Sequence, residues 1–183
     1  VVEQQRKKIL ADNAAAIKRW EMLGMFLVTT GGGLGLLSFG PLCERFGRKA
    51  TFLGFHLGGL AASLIAFQLL HGIAVLCVAL PVFGFLTLGM HAGYAIYFPE
   101  LYPTRMRGTG AGFCFNFGRI LAAPILVLAG KLQEEPPEDG GPWDVFALGL
   151  SLENAASLLC LLFLAGVLVL VFAPETKGRE LPR

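Results

Sequence analysis

The amino-acid sequence predicts an all-α fold: a polytopic bundle of membrane-spanning helices. Of its 183 residues, 55% are hydrophobic and 15% are charged, whereas soluble domains carry roughly 25% charged residues. Such a chain cannot supply a polar skin for its length, so lipid is the solvent for most of its surface. The apolar residues gather into runs close to the roughly 20 residues that cross a bilayer. The charged residues collect between these runs and do not form the polar stripe that buried helices of a soluble protein keep.

Five runs qualify as spans. The first extends from about Trp20 to Gly40 and the second from about Ala50 to Leu70. The third runs from about Ile73 to Phe98 with Pro81 inside it. The fourth covers about Gly108 to Gly130 and the fifth about Val145 to Phe172. Glycine is abundant within them, as in Gly31-Gly32-Gly33-Leu34-Gly35, Gly54 with Gly58, and Gly89 with Gly93. In a bilayer, small residues let helix backbones approach closely, so this pattern predicts a tight bundle. Residues 1–19 form a polar segment ahead of the first span. Ile9, Asn13, Ala16, Ile17 and Trp20 share one helical face there, which suits a helix lying on the membrane surface or equally a solvated linker helix. With no initiator Met, the chain reads as a fragment of a longer protein.

Charge alternates along the connections. The first loop holds Arg45, Arg48 and Lys49, the second only His71, and the third Arg105 and Arg107. The fourth is acidic, with Glu134, Glu135, Glu138, Asp139 and Asp144 against Lys131, and the tail from 174 to 183 holds Lys177, Arg179 and Arg183. The positive-inside rule places the first loop, the third loop and the tail in the cytoplasm. The N-terminal segment then lies outside, against the pull of its own Arg6, Lys7, Lys8, Lys18 and Arg19.

Several function classes drop out. The basic residues form no long stripe, so nucleic acid is not an expected partner. Cys43, Cys77, Cys114 and Cys160 have neither metal-clip nor CxxC spacing. Gly108-Thr109-Gly110-Ala111-Gly112 lacks both the P-loop spacing and a preceding strand, which excludes nucleotide binding. No nucleophile, base and orienter stand at readable spacing, so no enzyme, metal or cofactor is expected.

Three motifs carry a family resemblance. Gly40-Pro41-Leu42-Cys43-Glu44-Arg45-Phe46-Gly47-Arg48-Lys49 joins the first two spans. Its glycines allow a turn within a few residues, its acid can cap or pair, and its basic residues hold the loop in the cytoplasm. The spacing resembles the signature loop of the major facilitator superfamily, with Glu44 where Asp is commoner. Pro99-Glu100-Leu101-Tyr102-Pro103-Thr104-Arg105-Met106-Arg107-Gly108-Thr109-Gly110 resembles the loop entering the eleventh span of its organic-ion, aromatic-acid and sugar porters. Pro174-Glu175-Thr176-Lys177-Gly178 looks like the sequence that closes their twelfth span. In this order the motifs resemble the second half of that fold, from about the eighth span onward.

The resemblance implies two halves rocking about a midplane site, so the chain's partners are an N-terminal half, the lipid bilayer and a small solute, with or without a proton or sodium as coupling ion. It also implies a network in which Glu44, Glu100 and Glu175 meet Arg45, Arg48, Arg105 or Arg107 at the cytoplasmic helix ends. Polar residues inside spans usually face a cavity or a partner. Arg119, half-way along the fourth span, suits a carboxylate through its planar fork, and Asn116 stands one turn before it. His91 and Tyr94 in the third span complete the candidate solute site, whereas His56 and Gln68 read as satisfied packing or helix-end residues. The expected function is secondary transport of an organic anion, carboxylate or sugar-like solute by alternating access in the cell membrane. The alternative is a receptor or scaffold that keeps the fold without transporting.

Overall fold

A computed structural model describes residue 5 and residues 11–69, 72–135, 146–180 and 182. The described residues are helical with no strand, and five helices are long and apolar enough to cross a membrane. The expected all-α membrane fold is therefore present. Arg6, Lys7, Lys8, Ile9, His71, Glu138, Asp139, Asp144 and Arg183, all used in reading the sequence, lie outside the described residues.

The helices are α1 (Ala14–Phe46), α2 (Arg48–Gln68), α3 (Ile73–Leu101), α4 (Arg107–Lys131), α5 (Leu152–Cys160) and α6 (Leu162–Phe172). The last two break only at Leu161 and act as one span, Leu152–Phe172. Two boundaries differ from expectation. The first helix begins at Ala14 rather than Trp20, so residues 14–19 continue into the first span as one 33-residue helix. At 1.5 Å per residue it is about 50 Å long, well beyond a hydrocarbon core of about 30 Å. The last span begins at Leu152 rather than Val145. Before it, Gly149 at φ 59° turns the chain. The Gly149 and Leu150 amides donate to the Glu134 and Leu132 carbonyls at the end of α4. The Ser151 hydroxyl then accepts from the Asn154 amide and caps α5.

The closest packing is between α1 and α3, and glycine makes it possible. A Cβ on Gly31 would collide with the Pro81 carbonyl, one on Gly35 with the Phe85 carbonyl, and one on Gly84 with the Val28 carbonyl. These obstacles are backbone atoms and cannot rotate away. Next to this crossing, Phe39 of α1 meets Phe52 and Phe55 of α2 with ring centroids 5.0 and 4.8 Å apart. Gly93 of α3 leaves the space that the Phe39 and Phe52 rings fill. Buried His56 bonds the Phe52 carbonyl through Nδ1 at 2.8 Å and lies against Gly166 of α6. Gln68 donates to Ser157 Oγ and Asn154 Oδ1 at 2.8 and 3.1 Å, joining α2 to α5. Both residues act in packing, as the sequence suggested. Many large apolar side chains face outward, among them Phe26, Leu37, Leu126 and Phe172, as lipid-facing residues do.

The helix α4 stands apart. Gly110 is its one buried residue, while Phe113, Phe117, Ile120 and Leu121 are exposed.

Candidate functional site

The candidate residues fall into two groups, a charged cluster at one end of the bundle and a cavity between α3 and α4. At the charged end, α1 stops at Phe46 and α2 starts at Arg48, so the whole turn is Gly47, at φ 94°. Side chains rarely adopt that conformation. A Cβ there would also stand 2.9 Å from Glu175 Oε2, so a larger residue would strain the backbone and displace the end of the Glu175 side chain.

Glu175 reaches this turn from the tail. Its carboxylate accepts the backbone N–H groups of Arg48 and Lys49 at 2.9 and 3.0 Å and those of Thr176 and Lys177 at 3.0 Å. The first two are orphan donors in the first turn of α2, so a tail carboxylate caps a helix far away in sequence and meets its positive dipole end. Burial pushes the Glu175 carboxyl pKa up. The N–H groups of Lys177, Arg48, Lys49 and Thr176 more than reverse this and hold it below the usual glutamate value.

Beside it, Arg48 forms a two-pronged ion pair with Glu100 at the end of α3: Nη2 to Oε1 at 2.7 Å and Nε to Oε2 at 3.2 Å. The same Glu100 accepts the Thr176 hydroxyl. Lys177 Nζ donates to the Arg45 carbonyl at 2.9 Å, and the Tyr97 hydroxyl to the Pro174 carbonyl at 2.6 Å. The first loop, the end of α3 and the tail are thus tied together.

This cluster is smaller than the expected network and differently wired. Arg48, Glu100 and Glu175 come together, but Glu175 engages backbone amides rather than a guanidinium. Glu44 is exposed and makes no ion pair among the described residues. Arg45 contributes its carbonyl, while its guanidinium lies 5.4 Å from the centroid of the Phe46 ring. Lys49 Nζ donates to the Val171 carbonyl at 3.3 Å. Arg105 is exposed. Arg107 keeps Nε and Nη2 buried without a hydrogen-bond partner among the described residues. No side-chain carbon or neighbouring atom within 4 Å would crowd a Cβ on Gly40, so that glycine serves no close approach. Thr176 was missed, because a hydroxyl two residues after a proline carries no sequence signal of its partner.

The cavity, of about 420 Å³, is lined by His91, Tyr94 and Phe98 of α3 and by Cys114, Phe115, Gly118, Arg119 and Ala122 of α4. Arg119 is the middle residue of α4, and its guanidinium carbon lies 4.6 Å from the centroid of the Phe115 ring, a cation–π contact. No acid pairs with it among the described residues. Tyr94 stacks on Phe98 with centroids 5.4 Å apart, and the His91 ring meets Tyr94 edge-on. His91 Nδ1 is 3.1 Å from the Leu88 carbonyl, which leaves Nε2 for a further partner. Three of the four expected site residues therefore share one cavity. Asn116 does not line it: the residue is exposed and its amide donates to the Gly112 carbonyl of its own helix at 2.8 Å. Phe98, Cys114 and Phe115 were missed, although residues 115, 118, 119 and 122 recur at the helical spacing that marks one face.

The geometry defines a polytopic membrane protein with one cationic, aromatic-walled cavity and a charged clasp at one end. Sequence comparison carries this further. The chain is 30% identical, over 80% of its length, to a Haemophilus influenzae protein provisionally assigned to metabolite transport. It is 33% identical, again over 80% of its length, to the niacin transporter of Acinetobacter baylyi and to a protein of Bacillus subtilis provisionally named a niacin/nicotinamide transporter. These alignments cover 33%, 30% and 34% of the relatives, so the chain spans about a third of the length of the curated relatives it matches. No family model and no solved structure matches it. The chain belongs to the major facilitator superfamily, matches the C-terminal half of larger transporters, and is a multi-pass protein of the cell membrane.

Proposed function

We propose that the chain supplies five helices of a secondary transporter that carries a small organic anion by alternating access, with the cavity between α3 and α4 holding the solute. One observation carries the reading: Arg119, mid-way along a membrane helix, faces an aromatic-walled cavity with no acid partner among the described residues. A charge at that depth is costly unless it meets water, a carboxylate or a bound anion. The guanidinium holds the solute's carboxylate, and Phe115, Tyr94 and Phe98 offer ring faces to its planar body. His91 supplies a further polar contact through Nε2. Neither covalent chemistry nor a cofactor enters the cycle. The niacin transporter among the relatives supports an aromatic carboxylate more than a sugar.

In this reading the charged end lies in the cytoplasm, and the ties among Arg48, Glu100, Thr176 and Glu175 hold one packing of the bundle. The Arg48 and Glu100 side chains are only 17% and 16% exposed, so removing either one leaves the other charge largely buried without its partner. Solute shifts the equilibrium by binding one packing better than the other. Uptake of labelled niacin into vesicles bearing the full-length protein tests the function. Saturable accumulation inside the vesicles is expected. Binding at the membrane with no accumulation would replace the transporter by a receptor.

A further inference from the structure

A path of contacts joins the cavity to the charged cluster through Tyr102. Tyr102 follows Leu101 where α3 ends, and its extended backbone (φ −112°, ψ 145°) breaks the helix. Its ring lies over Gly110 of α4, where a Cβ would stand 2.7 Å from two ring carbons. One turn further along α4, Cys114 Sγ lies 3.1 Å from the Tyr102 hydroxyl. Cys114 is itself part of the cavity wall, on the same helix as Arg119. In the other direction, Tyr102 stands two residues after Glu100, which holds Arg48 and Thr176. Gly110 is the one buried residue of α4. The ring of Tyr102 therefore covers the one buried residue of α4.

We propose that Tyr102 is a positioning residue that couples occupancy of the cavity to the Glu100 clasp, by tying α4 to the end of α3 through the contact of its hydroxyl with Cys114. This rests on the transport reading given above. When an anion draws Arg119 and α4 toward α3, the Tyr102 hydroxyl follows Cys114, and the backbone segment that carries Glu100 follows Tyr102. Coupling between sites is reciprocal. Loosening the clasp therefore changes solute affinity, and cutting the Tyr102 contact removes that change. A side chain that only packs would alter stability without altering the linkage.

The test is a double-mutant cycle in the full-length protein with every cysteine other than Cys114 replaced, using two readouts. The first is the dissociation constant for niacin. E100Q shifts it roughly 5-fold or more in the parent, a typical allosteric coupling, and less than about 2-fold in the Y102F background. The second readout needs no solute: the alkylation rate of Cys114 by a small maleimide. E100Q changes that rate in the parent and leaves it unchanged in the Y102F background. The clasp variant T176V repeats both arms should E100Q fail to fold. An equal effect of the clasp variants with and without the Tyr102 hydroxyl overturns the proposal, as does no effect of either variant in the parent. If niacin does not bind at all, the transport reading fails, and the alkylation arm still decides the coupling.

Discussion

Single residues at the charged end show how few positions determine a contact. Gly47 is both the turn and the seat of Glu175. Gly47→Ala meets a backbone at φ 94° and ψ 163° that is essentially restricted to glycine, which costs about 1–3 kcal/mol, together with a close oxygen. It lowers the thermal midpoint of the purified protein, whereas Gly40→Ala, which meets open space, changes it little. Glu175 adds a pH dependence of known sign. Its folded pKa is depressed, so its contribution is complete above the ordinary glutamate value of about 4.3 and is lost as pH falls through the lower folded value. A spin label at position 178 therefore gains mobility in the native protein as pH falls below the ordinary glutamate range. In E175Q the label is already more mobile at neutral pH. A label equally immobile in E175Q would show that the carboxylate does not hold the tail.

At the scale of helices, packing separates glycines that the sequence presents as alike. Gly33 and Gly35 belong to one cluster, yet a Cβ on Gly33 meets nothing within 4 Å, while one on Gly35 strikes the Phe85 carbonyl. Gly35→Ala forces α1 and α3 apart and destabilises by about 1–3 kcal/mol, as overpacking does. Gly33→Ala stays within about 0.5 kcal/mol. Thermal unfolding in detergent distinguishes them, and equal midpoints would contradict the observed crossing. The five spans were legible because their length and hydropathy are set by the bilayer. Helix ends were less so: the periodicity marked a helix before Trp20 but not its unbroken run into the first span, and hydropathy does not register the Gly149 turn that delays α5 to Leu152. The cavity was legible through Arg119, His91 and Tyr94, since charge and polarity inside a span are rare. Its aromatic wall was not, because Phe115 and Phe98 resemble every other apolar residue of their spans. Asn116 was misplaced because one turn of helix puts a side chain only near its neighbour's face, and its amide is satisfied by its own backbone.

For the whole molecule, the positive-inside rule predicts that the basic loops and the tail face the cytoplasm. Single cysteines placed at positions 44 and 135 of the full-length protein, with native cysteines removed, report it to a membrane-impermeant reagent in intact cells. Protection at 44 and labelling at 135 are expected, and the reverse pattern would invert the topology. The central proposal is that Arg119 gives the cavity its preference for an anion. Niacin carries a carboxylate where nicotinamide carries a neutral amide, so the two solutes differ in the group that Arg119 is proposed to hold. The most direct measurement is the ratio of their dissociation constants in the full-length protein and in Arg119→Ala. A charge-assisted bidentate contact is stronger than a neutral one by about 1.5 kcal/mol or more. The native protein is therefore expected to favour niacin by roughly 10-fold, and Arg119→Ala to bring the ratio near one while leaving nicotinamide binding almost unchanged. An unchanged ratio in Arg119→Ala would contradict the assignment of the cavity as the anion site.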